Sequence, residues 1–119
     1  MNEVKKKLKL KRMDYYIVHL SLVNCVLPVK LTPMEIEVMA SFLALQGDIT
    51  EDRFGASARK KVKKERNISS AGLSNYIREL KRKGFLIEKG ATLTILPILF
   101  PQDKEQDYHF KLMNDDYTG

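Results

Sequence analysis

The stretch NISSAGLSNYIRELKRKGFL, residues 67–86, decides how the rest of this 119-residue chain is read. Its ends are marked as those of one helix. Ser69 or Ser70 caps the start, its hydroxyl accepting a free backbone N–H. Lys81, Arg82 and Lys83 gather in the last turn, where positive charge suits the partly negative helix end. Gly84 supplies the left-handed residue that stops the helix, and Phe85 stands where a Schellman stop packs it on Leu80. Between these limits Leu73, Tyr76, Ile77 and Leu80 keep the spacing of a buried face. Ser70, Ala71, Ser74, Arg78 and Lys81 form a second stripe, well over a quarter-turn away, flanked by Asn75 and Arg82. Short polar side chains in front and longer cationic ones behind suit close approach to a DNA groove, with reach to base edges or phosphates. An ordinary amphipathic helix with a solvated charged face has the same pattern, so the flanking chain carries the decision.

Just upstream, residues 57–66 read as another helix, held by Ala58 and Val62 and displaying Arg59, Lys60, Lys61, Lys63, Lys64 and Arg66. That many cations cannot share a buried face, so the helix is expected mostly at the surface, well placed for phosphates. Only Asn67 and Ile68 separate the two helices, the tight turn of a helix-turn-helix with Ile68 buried as its hinge. Downstream, residues 85–88 and 92–96 are short β-type runs around Lys89, Gly90 and Ala91, which predicts a hairpin. Pro97 and Pro101 keep residues 98–100 from being a central strand. Tyr108, Phe110 and Leu112 alternate with His109 and Lys111, predicting one more strand returning onto that hairpin. Residues 114–119 are expected to fray.

Residues 31–46 carry the clearest helix start. Thr32 and Glu35 are spaced as a capping box, Pro33 takes the first helical position, and Leu31 and Ile36 stand where a hydrophobic staple needs them. Ile36, Met39, Ala40 and Leu43 make its core stripe, and Gly47 ends it. A break follows, in which Thr50 caps a short turn through Phe54 ahead of Gly55. Earlier still, residues 14–27 have the β-branched content of a strand. Their length, Asp14 as a cap, and the row Tyr16, Leu20, Val23 and Leu27 favour a helix stopped at Pro28, because an uninterrupted strand of that length is unusual. Apolar on nearly all sides, this segment is expected to be largely buried, in the core or against a homodimer or other protein partner. Residues 1–13 read as a basic flexible arm, a solvated tail, with joining of a sheet edge on binding through the alternating Lys7, Leu8, Lys9, Leu10 and Lys11 as the weaker alternative. The fold class is therefore α+β, three to four helices with a small antiparallel sheet. The domain spans residues 14–113.

Charge sharpens the picture. The net +6 is unevenly spread: residues 1–13 hold six Lys/Arg against Glu3 (+5), and residues 14–52 hold Lys30 against six acids (−5). Residues 53–89 hold twelve Lys/Arg against Glu65, Glu79 and Glu88 (+9), and residues 90–119 two Lys against five acids (−3). Positive charge collects where the groove-reading helix is expected, the footprint of a nucleic-acid binder. The single cysteine, Cys25, allows no internal disulfide, and its apolar neighbours predict a buried side chain. The apolar run 15–27 is too short and too interrupted to span a bilayer, and no cleavage site follows it. A cytoplasmic location and no membrane partner are expected.

Two helices, a short turn, a reading helix and a hairpin compose a winged helix-turn-helix, and at this level the sequence resembles a family. LTPMEIEVM is similar to the start of the scaffold helix in winged-helix bacterial regulators. ISSAGLSNYIRELKRKGFLIE resembles the reading helix and first wing strand of that group, including the multiple antibiotic resistance regulator (MarR) class. The shared pattern is an early Ser, then Leu73 with Ser74, Ile77, Leu80 four before Gly84, and the pair Phe85 and Leu86. It covers residues 31–95. The same blocks look like small winged-helix proteins of bacteriophages, for which the location would be host cytoplasm or virion. The resemblance implies transcriptional regulation on double-stranded DNA, with residues 69–83 in the major groove. Ser69, Ser70, Ser74, Asn75 and Arg78 would meet base edges. Arg59, Lys60, Lys61, Lys63, Lys64, Arg66, Lys81, Arg82 and Lys89 would meet phosphates, Lys89 at the wing tip. Three features depart from the family: the inserted residues 48–56, a short wing turn without arginine, and an extended carboxyl terminus where that class builds its dimer from helices.

Other chemistry finds little footing. His19 and His109 are isolated, neither has the partners of a metal site or triad, Cys25 has no neighbouring base, and no glycine-rich phosphate loop exists. The expectation is no enzyme, no metal and no cofactor. The competing function is a winged-helix structural or adaptor protein, in a bacteriophage particle or other large complex, using the same basic face for protein or non-specific DNA contact. RNA, or an acidic membrane reached through KKKLKLKR, is a weaker third reading, since the arm has no aromatic for stacking.

Overall fold

The computed structural model describes residues 8–101 and 106–111. The four helices are α1 (Arg12–Asn24), α2 (Pro33–Leu43), α3 (Ala56–Arg66) and α4 (Ser70–Arg82), and the hairpin is β1 (Leu86–Lys89) with β2 (Thr92–Ile95). Two short 3-10 turns, Gly47–Asp52 and Pro97–Leu99, complete the described elements. The class is α+β, in an arrangement compatible with a winged helix. No helix among the described residues is long and apolar enough to cross a membrane.

The centre is α2, which contacts α1, α3 and α4. Its capping box forms in full: Thr32 Oγ1 accepts from Glu35 N–H at 3.2 Å, and Glu35 Oε1 accepts from Thr32 N–H at 2.8 Å. Leu31 and Ile36 are both buried beside it, as the staple requires. Val38, Met39, Ala40, Phe42 and Leu43 are then buried, so α2 gives most of its surface to the core, with Pro33 and Met34 left exposed at its start. Such burial contributes roughly 1.5–3 kcal/mol per large apolar side chain.

At the end of α2 the orphan carbonyls are met by two arginines that are distant in sequence. Arg12 Nε donates to Ala44 O at 2.7 Å, and Arg53 NH1 donates to Phe42 O at 2.8 Å. Arg53 also lies 5.2 Å from the Phe100 ring centre. The helix stops at Leu43 without Gly47, whose left-handed φ of +81° instead begins the following 3-10 turn.

Several expectations are corrected here. Residues 14–27 are helical, but α1 opens at Arg12, inside the expected arm, and Lys11 rather than Asp14 occupies the cap position. Within α1 only His19 and Leu20 are buried. Cys25 is exposed, because it follows the last helical turn on the outer side and its Sγ bonds back to Ser21 O. Ile68 is half-buried rather than buried. Residues 106–111 form no strand, and among the described residues the sheet has two strands. Tyr108 turns to α1 instead, where its hydroxyl meets His19 Nδ1, so a polar contact with the helix replaces pairing with the hairpin. The rest of that expected strand, at Leu112, and the tail 114–119 lie outside the described residues, as do residues 1–7 of the arm.

Candidate nucleic-acid interface

The surface built by α3, α4 and the hairpin starts from local signals. Asn67 takes the left-handed conformation, φ 55°, and Ile68 N–H closes back on Lys63 O at 3.0 Å. Asparagine tolerates that conformation better than most residues. Ser69 then caps α4, its Oγ accepting from Gly72 N–H at 3.0 Å. At the other end Phe85 N–H reaches Leu80 O at 2.9 Å and Gly84 N–H reaches Lys81 O at 3.0 Å, with Gly84 at φ +86°. This is the Schellman stop, and Leu80 and Phe85 both join the core.

The helix is therefore fixed in rotation. Leu73, Ile77 and Leu80 are buried and Tyr76 half-buried against the core. Ser69, Ser70, Ala71, Ser74, Asn75, Arg78, Lys81 and Arg82 are exposed. The five residues expected at base edges are thus all exposed, with Ser70, Ser74 and Arg78 following one another along the helix. Ser74 keeps its hydroxyl without a partner among the described residues, whereas Ser70 Oγ accepts from Lys63 Nζ at 2.9 Å. Asn75 Oδ1 accepts from Arg78 NH2 at 2.5 Å, holding the guanidinium along the helix face.

The expected phosphate contacts divide into two groups. Lys60, Lys64 and Lys89 are exposed and have no ion pair among the described residues, and Lys61 has only a loose 4.0 Å approach to Glu65. Of the others, all but Arg66 are already engaged. Arg59 donates to Phe54 O at 2.7 Å, Lys63 to Ser70, and Arg66 is half-buried with its Nε sealed and unbonded. Lys81 pairs with Glu88 of β1, and Arg82 grips Glu79 through Nε and NH2 at 3.0 and 2.8 Å. That contact raises the Arg82 pKa and lowers the Glu79 pKa.

The pair that sequence reasoning missed is Lys83 with Glu35. Lys83 turns inward instead of joining the basic surface, its Nζ 2.6 Å from Glu35 Oε1 and 3.1 Å from Lys30 O. The two side chains are only 11% and 4% exposed. Burial pushes the Glu35 pKa up, but the Lys83 and Thr32 hydrogen bonds and the Lys83 charge outweigh it, leaving the pKa lowered. The capping box marked Glu35 as useful to α2, yet nothing within a few residues marked its partner 48 positions away.

Across the hairpin, Leu86 faces Ile95, Ile87 faces Thr94, Glu88 faces Leu93 and Lys89 faces Thr92. Gly90, at φ +62°, opens the two-residue turn beside Lys89. The Lys81 contact with Glu88 ties this hairpin to α4. No group of three or more His, Cys, Asp or Glu side chains gathers as a metal site among the described residues. No family model, curated protein or solved structure matches this chain.

Proposed function

We propose that this chain is a winged helix-turn-helix protein that binds double-stranded DNA, reads sequence through α4 in the major groove, and acts as a transcriptional regulator in the cytoplasm. The observation that carries the reading is the exposed row Ser70, Ser74 and Arg78, about a quarter-turn from the buried row on the same helix. Small residues let the helix sink toward the base pairs, and Arg78 has the reach and the paired donors for a guanine edge. Lys60 and Lys64 on α3 and Lys89 at the hairpin turn are exposed and without an ion pair among the described residues, which leaves them as cations for phosphates. A second copy or another protein partner has a place on α1 and just beyond it, where Val18 and Leu22 remain half-buried and Val26 is 66% exposed.

The test is a salt titration of duplex binding followed by selection of bound sequences. Three to six phosphate contacts correspond to a log–log slope between about −3 and about −5. Arg78→Ala is expected to cost roughly 1–3 kcal/mol on the selected site and little on random duplex. Lys64→Ala is expected to weaken both alike. A slope near zero refutes DNA binding, and failure to enrich any motif refutes sequence reading in favour of the structural or adaptor role.

A further inference from the structure

The hairpin has two strands, so β1 and β2 each have one paired edge and one open edge. Leu96 N–H bonds to Phe85 O, so the alternation of an antiparallel ladder turns the backbone of Thr92 and Thr94 toward β1 and that of Leu93 and Ile95 away from it. No hydrogen bond among the described residues occupies those outward groups. Beside β2 runs a groove of about 240 Å³, lined by residues 50–54, 92–95 and Phe100. Phe54, Leu93, Ile95 and Phe100 give it one apolar wall, Arg53 and three threonines give it polar lining, and the exposed Glu51 and Asp52 add negative charge.

The chain carries a segment of complementary chemistry. In residues 8–11 leucine and lysine alternate, so a strand would place Leu8 and Leu10 on one side and Lys9 and Lys11 on the other. Leu8 is 61% exposed and Leu10 40% exposed, apolar surface that is left in water. The arm's end is anchored, since Arg12 is bonded to the carbonyls of Ala44 and Leu45. Residues 8–11 are not among the described residues that line the chain's own groove.

We propose that the groove beside β2 receives residues 8–11 of a second copy as an added strand. The outward N–H and C=O groups of Leu93 and Ile95 bond to the incoming backbone. Leu8 and Leu10 cover the apolar wall, and Lys9 and Lys11 meet Glu51 and Asp52 at the rim. Each copy lends an arm and receives one, which closes the pair about a two-fold axis. The exchange covers an exposed sheet edge, which otherwise invites unspecific pairing. It does not depend on DNA binding.

Sedimentation velocity of the full chain from about 10 µM to about 1 mM, a window set by the affinity expected of a short strand, tests this. A reductant is needed because the exposed Cys25 can form disulfides that mimic the pair. A concentration-dependent dimer is expected. Leu8→Asp with Leu10→Asp should weaken it about a hundredfold without changing the monomer's circular dichroism. Glu51→Lys with Asp52→Lys should weaken it too, and adding Lys9→Glu with Lys11→Glu should restore it. A monomer throughout the range overturns the proposal, as does a dimer indifferent to the arm. A monomer whose Ile95 amide exchanges faster in the Leu8/Leu10 double variant also overturns it, because the arm would then sit in its own groove.

Discussion

Replacing Lys83 by Met removes an ammonium while keeping most of the stem, and the consequence falls on Glu35. Its side chain is 4% exposed and loses a partner at 2.6 Å, keeping the Thr32 N–H bond at 2.8 Å. Breaking a buried pair from one side costs about 3–5 kcal/mol. The surviving bond places this case near the low end, about 3 kcal/mol at pH 7, out of the roughly 5–15 kcal/mol of a typical domain. The dependence on pH carries the finer test. In the native chain the Glu35 pKa is lowered, so its contribution is complete above about 4.5 and is lost as pH falls through the lower folded value. In Lys83→Met burial dominates and raises that pKa, so the variant recovers stability on acidification, by up to about 1.4 kcal/mol per unit below the raised value. The gap to the native protein should therefore narrow from pH 7 to pH 5. Urea unfolding followed by circular dichroism at several pH values measures it. Adding Glu35→Gln to Lys83→Met should return much of the loss, because an amide oxygen still accepts from Thr32 without burying charge. Equal midpoints for native and Lys83→Met at pH 7, or a gap that stays constant to pH 5, would refute the buried pair as a stabilising unit.

Glu88→Gln should free Lys81 for phosphate, steepening the log–log salt slope of duplex binding by about 0.9; anisotropy titrations would show no change if Lys81 stays off the DNA. His19 has its pKa lowered by burial, with the Leu99 backbone partly opposing. Its contribution is therefore complete above about 6.5, the unfolded value, and falls as pH drops below it. His19→Gln should flatten the stability profile across that window, measured by denaturant midpoints, and a native profile already flat there would contradict it. Arg53→Met should cost about 2 kcal/mol, as charged hydrogen bonds to the α2 carbonyls are lost together with the contact on Phe100. Thermal melts should show the drop, and an unchanged midpoint would mean water replaces the guanidinium at no cost.

How much was legible follows the range of the interactions. Thr32 with Glu35, Ser69 with Gly72, and Leu80 with Gly84 and Phe85 lie within a few residues of one another, and their geometry is recognisable in the primary structure alone. The two stripes of α4 are equally local, because a helix turns each residue by a fixed angle. The sequence by itself thus determined the element order from Thr32 to Ile95, the α+β class and which face of α4 turns outward. Tertiary structure alone decided which cations remain available. Lys83 is drawn in by Glu35, Arg12 and Arg53 are consumed by the carbonyl end of α2, and Lys81 is held by Glu88. It also decided that Cys25 faces outward and that Tyr108 meets His19 instead of the hairpin. A charge count cannot anticipate such pairings, since an ion pair forms where folding brings two groups within a few ångströms, and their separation in sequence carries no mark of that proximity.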